Sequence, residues 1–369
     1  MKRIELTIKP TLFCNIKCKH CFYGKMTQCR DMLNIEVAKE LIIKTSKNYK
    51  FIKVTFHGGE PTLVGLDFYK EFFNLEKQLI KNQGIHFDNF FTTNGILLND
   101  NFIDLLISNN TLINISFDGP YNHLLRTNTD TVFKNIKKIQ EKKGRFRCYC
   151  VICNDSVRHL NEIYDWFNDQ NFDFKTAPIE PLGNAISNQN LMISTKELAD
   201  AFIDIYKRWI FDKDFKVKYY TLMEFAKFDR ETQFKPFWFN KNLALNPNGI
   251  IYPFGRPNDV IYELGNPFNI DNIDDCFNSE NYLKMLSTIN GYFESRCNTC
   301  KSKGVCNGVS IAMSYMYNNN DDYLYRCCEQ ANSLFQSILK INDSIKNDIR
   351  NKKIEKYNSF ILKQYIERN

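Results

Sequence analysis

Cysteine is the residue type whose number and spacing in this chain could do chemistry. The 369 residues include 13 cysteines, an odd number that argues against a complete disulfide framework. Grouped reduced thiols bind metals or react, because the thiolate is both a metal ligand and a nucleophile. The groups lie at Cys14–Cys21, Cys148–Cys153 and Cys297–Cys328, and Cys29 and Cys276 stand apart.

The first group, Cys14-Asn-Ile-Lys-Cys18-Lys-His-Cys21, could hold one metal centre in a single loop. A structural zinc site usually takes four ligands. Three cysteines on a 4Fe–4S cluster instead leave one iron with an open coordination position, which a substrate or cofactor can occupy. A zinc loop completed by His20 or by a distant ligand is the alternative.

The last group combines Cys297-x2-Cys300-x5-Cys306 with Cys327 and Cys328. A C-x2-C pair followed by further cysteines predicts a metal site. Zinc and an iron–sulfur cluster both fit this spacing.

The middle group lies on a predicted strand, on which Cys148 and Cys150 point to the same side. The simpler hypothesis makes both of them small buried core residues. If they instead face the interior of a barrel, one of them could donate a hydrogen atom to a substrate radical. They are therefore the candidate catalytic residues.

The elements that position these cysteines alternate between strand and helix, which predicts a parallel sheet with helical crossovers. No dinucleotide glycine fingerprint follows the first strand, so we expect a partial (β/α)6 barrel of the TIM type, with a doubly wound sheet as the alternative. The strands are predicted at Ile4–Lys9, Ile52–Phe56, Phe87–Phe91, Leu112–Phe117, Phe146–Ile152 and Phe172–Ala177. The helices are predicted at Val37–Lys47, Leu66–Ile80, Asn101–Ser108, Asp130–Lys142, Leu160–Asn168, Leu198–Ile210 and Tyr220–Phe228.

The sequence pattern changes near residue 240, where predicted turns, short strands and cysteines replace the regular alternation of strands and helices. We expect the barrel at residues 1–235, a cysteine-rich α+β domain at 236–330 and C-terminal helices at 331–369. Asn246–Pro253 reads as a turn flanked by strands. Ala331–Ile345 and Ile354–Ile366 are amphipathic, so we expect them to pack on the body of the protein.

Polar motifs follow the predicted strands, at the end of a barrel where active sites form. Paired glycines allow close backbone approach to a ligand, and Glu60 could accept a hydrogen bond from an ammonium group. Each motif alone would be an ordinary turn. The motifs are His57-Gly58-Gly59-Glu60-Pro61, Thr92-Thr93-Asn94-Gly95 and Ser116-Phe117-Asp118-Gly119-Pro120, followed by Asn154 and Ile179.

These motifs in this order resemble the radical S-adenosylmethionine (SAM) enzymes, in the branch that carries a C-terminal SPASM domain. CNIKCKHCFYGK resembles that family's cluster loop, and GGEP its binding motif for the methionyl amino group. The resemblance implies a 4Fe–4S cluster on Cys14, Cys18 and Cys21, whose open iron chelates SAM and whose electron releases a 5′-deoxyadenosyl radical. It implies cofactor contacts from His20, Gly58, Gly59, Glu60, Asn94, Ser116, Asp118, Asn154 and Ile179.

The last cysteine group is similar to the core of a SPASM domain, which binds two auxiliary clusters. The resemblance implies one auxiliary 4Fe–4S cluster here, because ligands of the other are missing. Phe254 and Ser310 replace two of them, and no cysteine stands near residues 240–242. The remaining ligands would be Cys297, Cys300, Cys306 and Cys328, with Cys327 as an alternative to Cys328 and Cys276 outside the set.

The resemblance implies an enzyme that modifies a ribosomally made peptide, by a thioether, carbon–carbon or ether crosslink or by epimerisation. The anaerobic sulfatase-maturing (formylglycine-generating) enzymes are the alternative, although their acidic residue falls where this chain has Gly255. A zinc-stabilised, non-enzymatic binding protein is the alternative from another class.

Charge and hydropathy limit the classes of partner and the cellular location that we expect for this protein. The chain has 49 Lys and Arg against 42 Asp and Glu, a net charge of +7, and little clustering of basic residues, so we expect no nucleic-acid partner. No apolar run reaches the ~20 residues of a membrane helix, and the reduced thiols predict a cytoplasmic protein. The expected partners are a precursor peptide, an electron donor such as flavodoxin or ferredoxin, and a separate leader-recognition protein, since only 13 residues precede Cys14.

Overall fold

A sheet of eight strands forms the centre of the computed structural model, which describes residues 2–230, 241–255, 260–306 and 321–366. The first six strands lie side by side in chain order and are parallel. They are β1 (Arg3–Thr11), β2 (Phe51–Gly58), β3 (His86–Thr93), β4 (Leu112–Ser116), β5 (Phe146–Ile152) and β6 (Phe174–Pro178). A doubly wound sheet would reverse its strand order, so the alternative fold is wrong and the partial barrel is confirmed.

Two further strands extend the sheet beyond β1. The strand β7 (Asn242–Leu245) pairs in parallel with β1, and β8 (Ile251–Pro253) pairs antiparallel with β7. Gly249 has a φ of 77° in the turn between them, a conformation that favours glycine. The predicted turn flanked by strands is therefore confirmed, and it joins the second half of the chain to the barrel sheet.

Helices cover the outer face of the sheet. Successive strand residues alternate between a buried outer face and a half-exposed inner face. On the outer face, Ile8, Phe56, Phe91 and Ile115 have no exposed surface, because the helices pack on them. The crossover helices are α1 (Ile35–Asn48), α2 (Leu66–Gln83), α3 (Asp100–Ser108), α4 (Asn122–Leu125), α5 (Thr129–Glu141) and α6 (Leu160–Gln170).

The helices of the second half differ from the predicted bounds at their ends. The helix predicted from Ile354 begins only at Ser359, because the Asn358 side chain accepts a hydrogen bond from the Ile361 amide (2.9 Å) and so caps the first turn. These helices are α7 (Thr195–Trp209), α8 (Tyr220–Phe225), α9 (Asp275–Asn278), α10 (Glu280–Arg296), α11 (Asp321–Arg350) and α12 (Ser359–Ile366).

The C-terminal helices pack on the barrel, as predicted. Tyr206 of α7 donates a hydrogen bond to the buried Asn342 of α11 (2.6 Å), and the Asn358 side chain donates one to the Trp209 carbonyl (2.6 Å). The helix predicted at Ala331–Ile345 is the middle of the longer α11. In the described part of the chain, no helix combines the length and the apolarity that crossing a membrane requires. The domain limits at residues 235 and 330 stay a prediction.

Strand ends also differ slightly from the sequence pattern. β2 and β3 continue to Gly58 and Thr93, into the polar motifs themselves. β6 begins at Phe174 rather than Phe172, because Asn171 is left-handed (φ 57°) and the Phe172 amide still bonds to the preceding helix. The motifs therefore begin while the backbone is still in the sheet, and the sheet sets their positions.

Candidate cluster and cofactor site

The loop after β1 brings the first three cysteine thiols together. The pKa of Cys14 is raised to about 12, mainly by burial, with smaller contributions from Glu60 and the nearby Cys18 and Cys21 thiols. Burial also raises the pKa of Cys18, while the Arg126 guanidinium opposes that shift. The Cys14 and Cys18 thiols are therefore protonated in the metal-free protein, and cluster binding must release those protons.

His20 lies next to Cys21 in the cysteine loop. Among the described residues, no three His, Cys, Asp or Glu side chains converge as the ligands of one metal ion would. Burial lowers the pKa of His20 well below its usual value, and its Nδ1 atom is buried without a hydrogen-bond partner in the structure. A buried polar atom of this kind suits a ligand contact.

The two glycines at the end of β2, Gly58 and Gly59, lie directly against the cysteine loop. A Cβ atom on Gly59 would come within 2.2 Å of the carbonyl oxygens of Leu12 and Phe13. Gly58 has a φ of 121°, and a Cβ atom there would lie 2.3 Å from the Thr11 carbonyl oxygen. Only glycine permits this approach, so the pair holds the backbone that enters the loop at Cys14.

The carboxylate of Glu60 is fully buried and is occupied by protein donors. It accepts hydrogen bonds from the Thr62 amide (3.1 Å) and hydroxyl (2.7 Å), the Thr93 hydroxyl (2.8 Å) and the Asn94 amide (2.8 Å). Burial raises its pKa, and these bonds oppose the rise. Glu60 therefore ties the end of β2 to the end of β3, and its contact with the cofactor stays a prediction.

Asn94 extends this network to the cysteine loop. Its Nδ2 donates to the Asn15 side chain (2.7 Å) and lies 3.8 Å from the Cys14 sulfur. The motif after β3 is thereby placed beside the predicted cluster, as its position at a strand end implied.

Asp118 forms a buried ion pair that the sequence analysis missed. Its Oδ2 accepts from Nε of Arg126 (2.8 Å), with the two side chains only 2% and 9% exposed, and its Oδ1 accepts from the Val151 amide (2.7 Å). Nη1 of Arg126 lies 3.9 Å from the Cys18 sulfur. Asp118 thus positions a cation at the cysteine loop. A lone arginine in a loop carries no spacing signal. Its one sequence cue is that Arg126 follows the Ser116–Gly119 motif in the same connection.

The remaining predicted cofactor residues lie at the same end of the barrel. Ser116 is half-buried at the end of β4, on the inner face opposite to Ile115. Asn154 and Ile179 follow β5 and β6 and are also half-buried. Their backbone amides bond to the carbonyls of Leu191 and Ile152, respectively (both 2.9 Å). The strand ends thus bring all the predicted motifs to one rim.

The two candidate catalytic thiols lie on the other face of the sheet. Cys148 is paired in register with Ile115 and Phe174, and both neighbours belong to the core under the helices. Cys148 and Cys150 are 0% and 1% exposed. Their surroundings support the simpler hypothesis that both are buried core residues.

The second cysteine group also comes together. The pKa of Cys297 is raised to about 12, mainly by burial, with smaller contributions from the Cys306, Cys328 and Cys300 thiols. The Cys300 amide donates to the Cys297 carbonyl (3.1 Å), which closes the C-x2-C turn. Ser310 and the Cys327 side chain lie outside the described residues, so the choice between Cys327 and Cys328 stays a prediction.

The other cysteines lie apart from both groups. Cys276 on α9 is fully buried in the hydrophobic core. Cys29 is exposed and donates to the Asp31 carboxylate (3.1 Å). Neither position adds a ligand to the two groups.

Gly255 follows β8 at the inner face of the barrel. The Tyr23 hydroxyl donates to its carbonyl (3.3 Å), and a Cβ atom on it would lie 3.5 Å from Oγ1 of Thr7. An acidic side chain at this position would therefore be near Thr7 and Tyr23, and this chain has none there. Phe254, where the second auxiliary cluster would need a cysteine, is buried with a φ of 62°.

Comparison with known proteins agrees with this geometry. Residues 8–167 match the Radical SAM superfamily. A cysteine-type anaerobic sulfatase-maturating enzyme of Clostridium novyi is 29% identical over 232 residues, which are 58% of this chain and 61% of that protein. A serine-type enzyme of Bacteroides thetaiotaomicron is 24% identical over 184 residues, 46% of this chain and 44% of that protein. The match therefore spans less than two thirds of each relative's length.

Solved structures share the fold. A structure of anSMEcpe with AdoMet and the Cp18Cys peptide bound superposes with a TM-score of 0.75 at 20% identity, covering 93% of this chain and 100% of that one. Streptococcus suis SuiB bound to its precursor peptide SuiA has a TM-score of 0.56 at 17% identity, covering 84% and 72%. Family and fold agree with the cysteine loop and strand-end motifs described above. Residues 8–167 thus match a radical SAM domain, and the chain is similar to anaerobic sulfatase-maturating enzymes over 58% of its length.

Proposed function

We propose that this enzyme modifies a peptide by radical chemistry, forming a crosslink or an epimerised residue. The observation that carries the proposal is the cysteine loop, fastened by Gly59 and Asn94 to the rim of a partial barrel. The inner face of that barrel keeps half-exposed side chains, which leaves room for a substrate segment beside the rim. Relatives with bound peptides share the fold.

Cys14, Cys18 and Cys21 would hold the 4Fe–4S cluster, with SAM on its open iron. When bound, the pair supplies a 5′-deoxyadenosyl radical that abstracts a hydrogen atom from the substrate. The protein's task is to orient the cofactor and the substrate and to exclude water from the site. Asp118 holds Arg126 at the loop, and the neutral His20 offers its unpartnered Nδ1 to the cofactor. Arg126 would also offset the negative charge of the thiolates.

Besides His20, Glu60 and Asp118, six residues are predicted to contact SAM, and they come from the ends of β2 to β6. A residue whose side chain already has protein partners, as at Glu60, would bind through its backbone groups. The six residues are Gly58, Gly59, Asn94, Ser116, Asn154 and Ile179.

We also propose one auxiliary 4Fe–4S cluster on Cys297, Cys300, Cys306 and Cys328. Such a cluster could accept the extra electron that crosslinking releases. Iron counting on anaerobically reconstituted protein tests the ligand sets, because two cubane clusters contain about eight irons per chain. About twelve or about four would contradict the assignment, and a colourless zinc protein would contradict the iron–sulfur chemistry altogether.

Sulfatase maturation is the second candidate, favoured by homology to both cysteine-type and serine-type enzymes. Gly255 weighs against it, because a glycine supplies no carboxylate at the position beside Thr7 and Tyr23, where an acidic side chain would follow the Tyr-Pro step. Peptide modification needs no carboxylate at that position.

Mass spectrometry of the co-encoded small peptide, before and after reaction, tests the proposal. A crosslink removes two hydrogen atoms, a loss of ~2 Da, whereas epimerisation in D2O leaves the connectivity intact and adds one deuterium. An aldehyde that reacts with a hydrazide probe would instead indicate formylglycine. An unchanged peptide together with an aldehyde on a sulfatase peptide would overturn the first candidate.

The proposed partners follow from this chemistry. The cluster needs an electron donor such as flavodoxin or ferredoxin. The substrate is a precursor peptide, which a separate leader-recognition protein would present. We propose a cytoplasmic location, where the donors and reduced thiols are found.

A further inference from the structure

Several cations lie on the inner face of the described part of the barrel, and two of them, Lys53 and Lys175, are paired with carboxylates. Lys53 of β2 lies 3.1 Å from the Glu5 carboxylate, and Lys175 of β6 lies 2.8 Å from the Glu224 carboxylate. Arg147 of β5 lies on the same face. Within the described ranges, no carboxylate is found at ion-pairing distance from its guanidinium, although its side chain is only half-exposed.

The Arg147 guanidinium is nevertheless held in a fixed orientation. Its Nε donates to Oδ1 of Asn114 (2.8 Å), and its Nη2 donates to the Tyr149 hydroxyl (2.9 Å). The rings of Tyr149 and Tyr220 lie 5.1 Å from its Cζ atom, and the Phe90 ring lies at 6.0 Å. Aromatic faces attract a guanidinium but do not neutralise its charge.

The strand register places Arg147 just beneath the cofactor rim. Arg147 is paired with Asn114, and Tyr149 is paired with Ser116, a predicted SAM contact. Two residues of strand span about 6.6 Å, so the guanidinium lies one inner-face layer below that rim. A substrate side chain that reaches the reacting position from within the barrel would pass this layer.

A half-buried cation with spare donors is arranged for an anion. The guanidinium has more N–H groups than Asn114 and Tyr149 use, and two parallel N–H groups bind a carboxylate in a fork. A lysine could not be oriented in this way, because its ammonium is a point charge on a flexible stem. Lys53 and Lys175 already have carboxylate partners, whereas the described residues offer none to Arg147.

We propose that Arg147 binds a carboxylate of the substrate, from an Asp or Glu side chain or from a C-terminus, one layer below the reacting position. The peptide substrate itself rests on the function proposed above. Arg147 is then a specificity-determining residue, with Asn114 and Tyr149 as its positioning residues.

The test measures binding to the reconstituted holoenzyme with SAM, under anaerobic conditions. The probes are three matched random hexapeptide libraries: one with a fixed Glu and an amidated C-terminus, one with a fixed Gln and an amidated C-terminus, and one with a fixed Gln and a free C-terminus. We expect one carboxylate library to be retained at least about tenfold better than the amidated Gln library. A hydrogen bond to a charged group contributes about 1.5–3 kcal/mol, and about 1.4 kcal/mol corresponds to a tenfold change in affinity. Arg147→Gln should abolish the preference.

Control variants separate a lost charge from a lost fold. Arg145→Gln removes an exposed arginine that contacts Asn110, outside the barrel interior, and should keep the preference. Arg147→Lys keeps the charge without the fork and Tyr149→Phe keeps the guanidinium without one anchor, so both should lower the preference even if Arg147→Gln does not fold. SAM cleavage in the absence of peptide should stay near wild type in Arg145→Gln.

The outcomes separate the two proposals. Better retention of the Glu library assigns a side-chain carboxylate, and better retention of the free C-terminal library assigns a terminal one. Equal retention of all three libraries, or a preference that survives Arg147→Gln and Arg147→Lys, overturns the role of Arg147. Loss of SAM cleavage in the wild-type holoenzyme would instead overturn the proposed radical function, whatever the libraries show.

Discussion

Replacing Gly59 with alanine adds one methyl group at the point where the motif after β2 meets the cysteine loop. The new Cβ atom would lie 2.2 Å from two carbonyl oxygens, those of Leu12 and Phe13. A relaxed contact needs roughly 1 Å more, because dispersion contacts turn repulsive well below ~3.5 Å. Both oxygens belong to backbone, so the clash cannot be relieved by a side-chain rotation.

The displacement also strains two hydrogen bonds. The Gly59 amide donates to the Thr11 carbonyl (3.0 Å), and the Glu60 amide donates to the Phe13 carbonyl (2.8 Å). Overpacking costs about 1–3 kcal/mol, and each lost bond costs about 0.5–1.5 kcal/mol. The expected destabilisation is therefore about 2–6 kcal/mol. A shift of about 1 Å near the reacting centre lowers the rate about 100-fold.

Three measurements on Gly59→Ala check this reasoning: urea unfolding, iron content and SAM cleavage. We expect lower stability, a loss of about four irons from the first cluster and at least about 100-fold slower cleavage. The matched control is Gly291→Ala in α10, where a Cβ atom meets nothing within 4 Å. Alanine favours a helix by about 1 kcal/mol over glycine, so this control should be neutral or stabilising.

A Gly59→Ala enzyme with wild-type iron content and cleavage within about twofold of wild type would refute the close-approach argument. Destabilisation without loss of iron would show that the clash is absorbed away from Cys14. A similar loss in Gly291→Ala would point to a general sensitivity of the fold rather than to the cysteine loop.

The remaining predictions concern a buried ion pair, the auxiliary ligands and one buried acid. Asp118→Asn or Arg126→Gln alone should destabilise by about 3–5 kcal/mol in urea unfolding, and the double variant by less than the sum, because each single change leaves a charge uncompensated. Cys328→Ala should remove about four irons per chain and Cys327→Ala none; the reverse result would reassign the ligand. Burial raises the pKa of Glu76 to about 8, above its unfolded value of 4.5, so its stabilising effect is complete below the unfolded pKa and is lost as pH rises through 8. Glu76→Gln should flatten this decline, which can reach ~1.4 kcal/mol per pH unit, and a slope equal to wild type would contradict the assigned pKa.

The barrel and its rim were largely predictable from local patterns. Apolar alternation marked all six strands, because a sheet covered by helices must bury one face of each strand. The glycine pair at Gly58 and Gly59 was also readable, since few other patterns demand two adjacent residues without side chains. The sequence pattern does not predict that β2 and β3 continue to Gly58 and Thr93, because the motif residues no longer alternate in hydrophobicity.

The partners of the charged residues were not predictable from the sequence. The motif predicts that Glu60 faces a ligand, and the structure instead gives its carboxylate four protein donors, from Thr62 after β2 and from Thr93 and Asn94 at the end of β3. Arg126 and Arg147 carry no local signal, because a single arginine in a loop or strand fits any polar surface. Both arginines acquire their roles from residues that are distant in the chain.

The sequence by itself determined which residues can bind a cluster and in what order strands and helices alternate, because cysteine spacing and apolar periodicity are local properties. Tertiary structure alone decided which face each strand presents to the core. That choice put Cys148 among buried apolar side chains and turned Arg147 toward the interior one residue earlier. The physical reason is the two-residue period of a strand: register with neighbouring strands, which no local pattern contains, sends adjacent side chains to opposite environments.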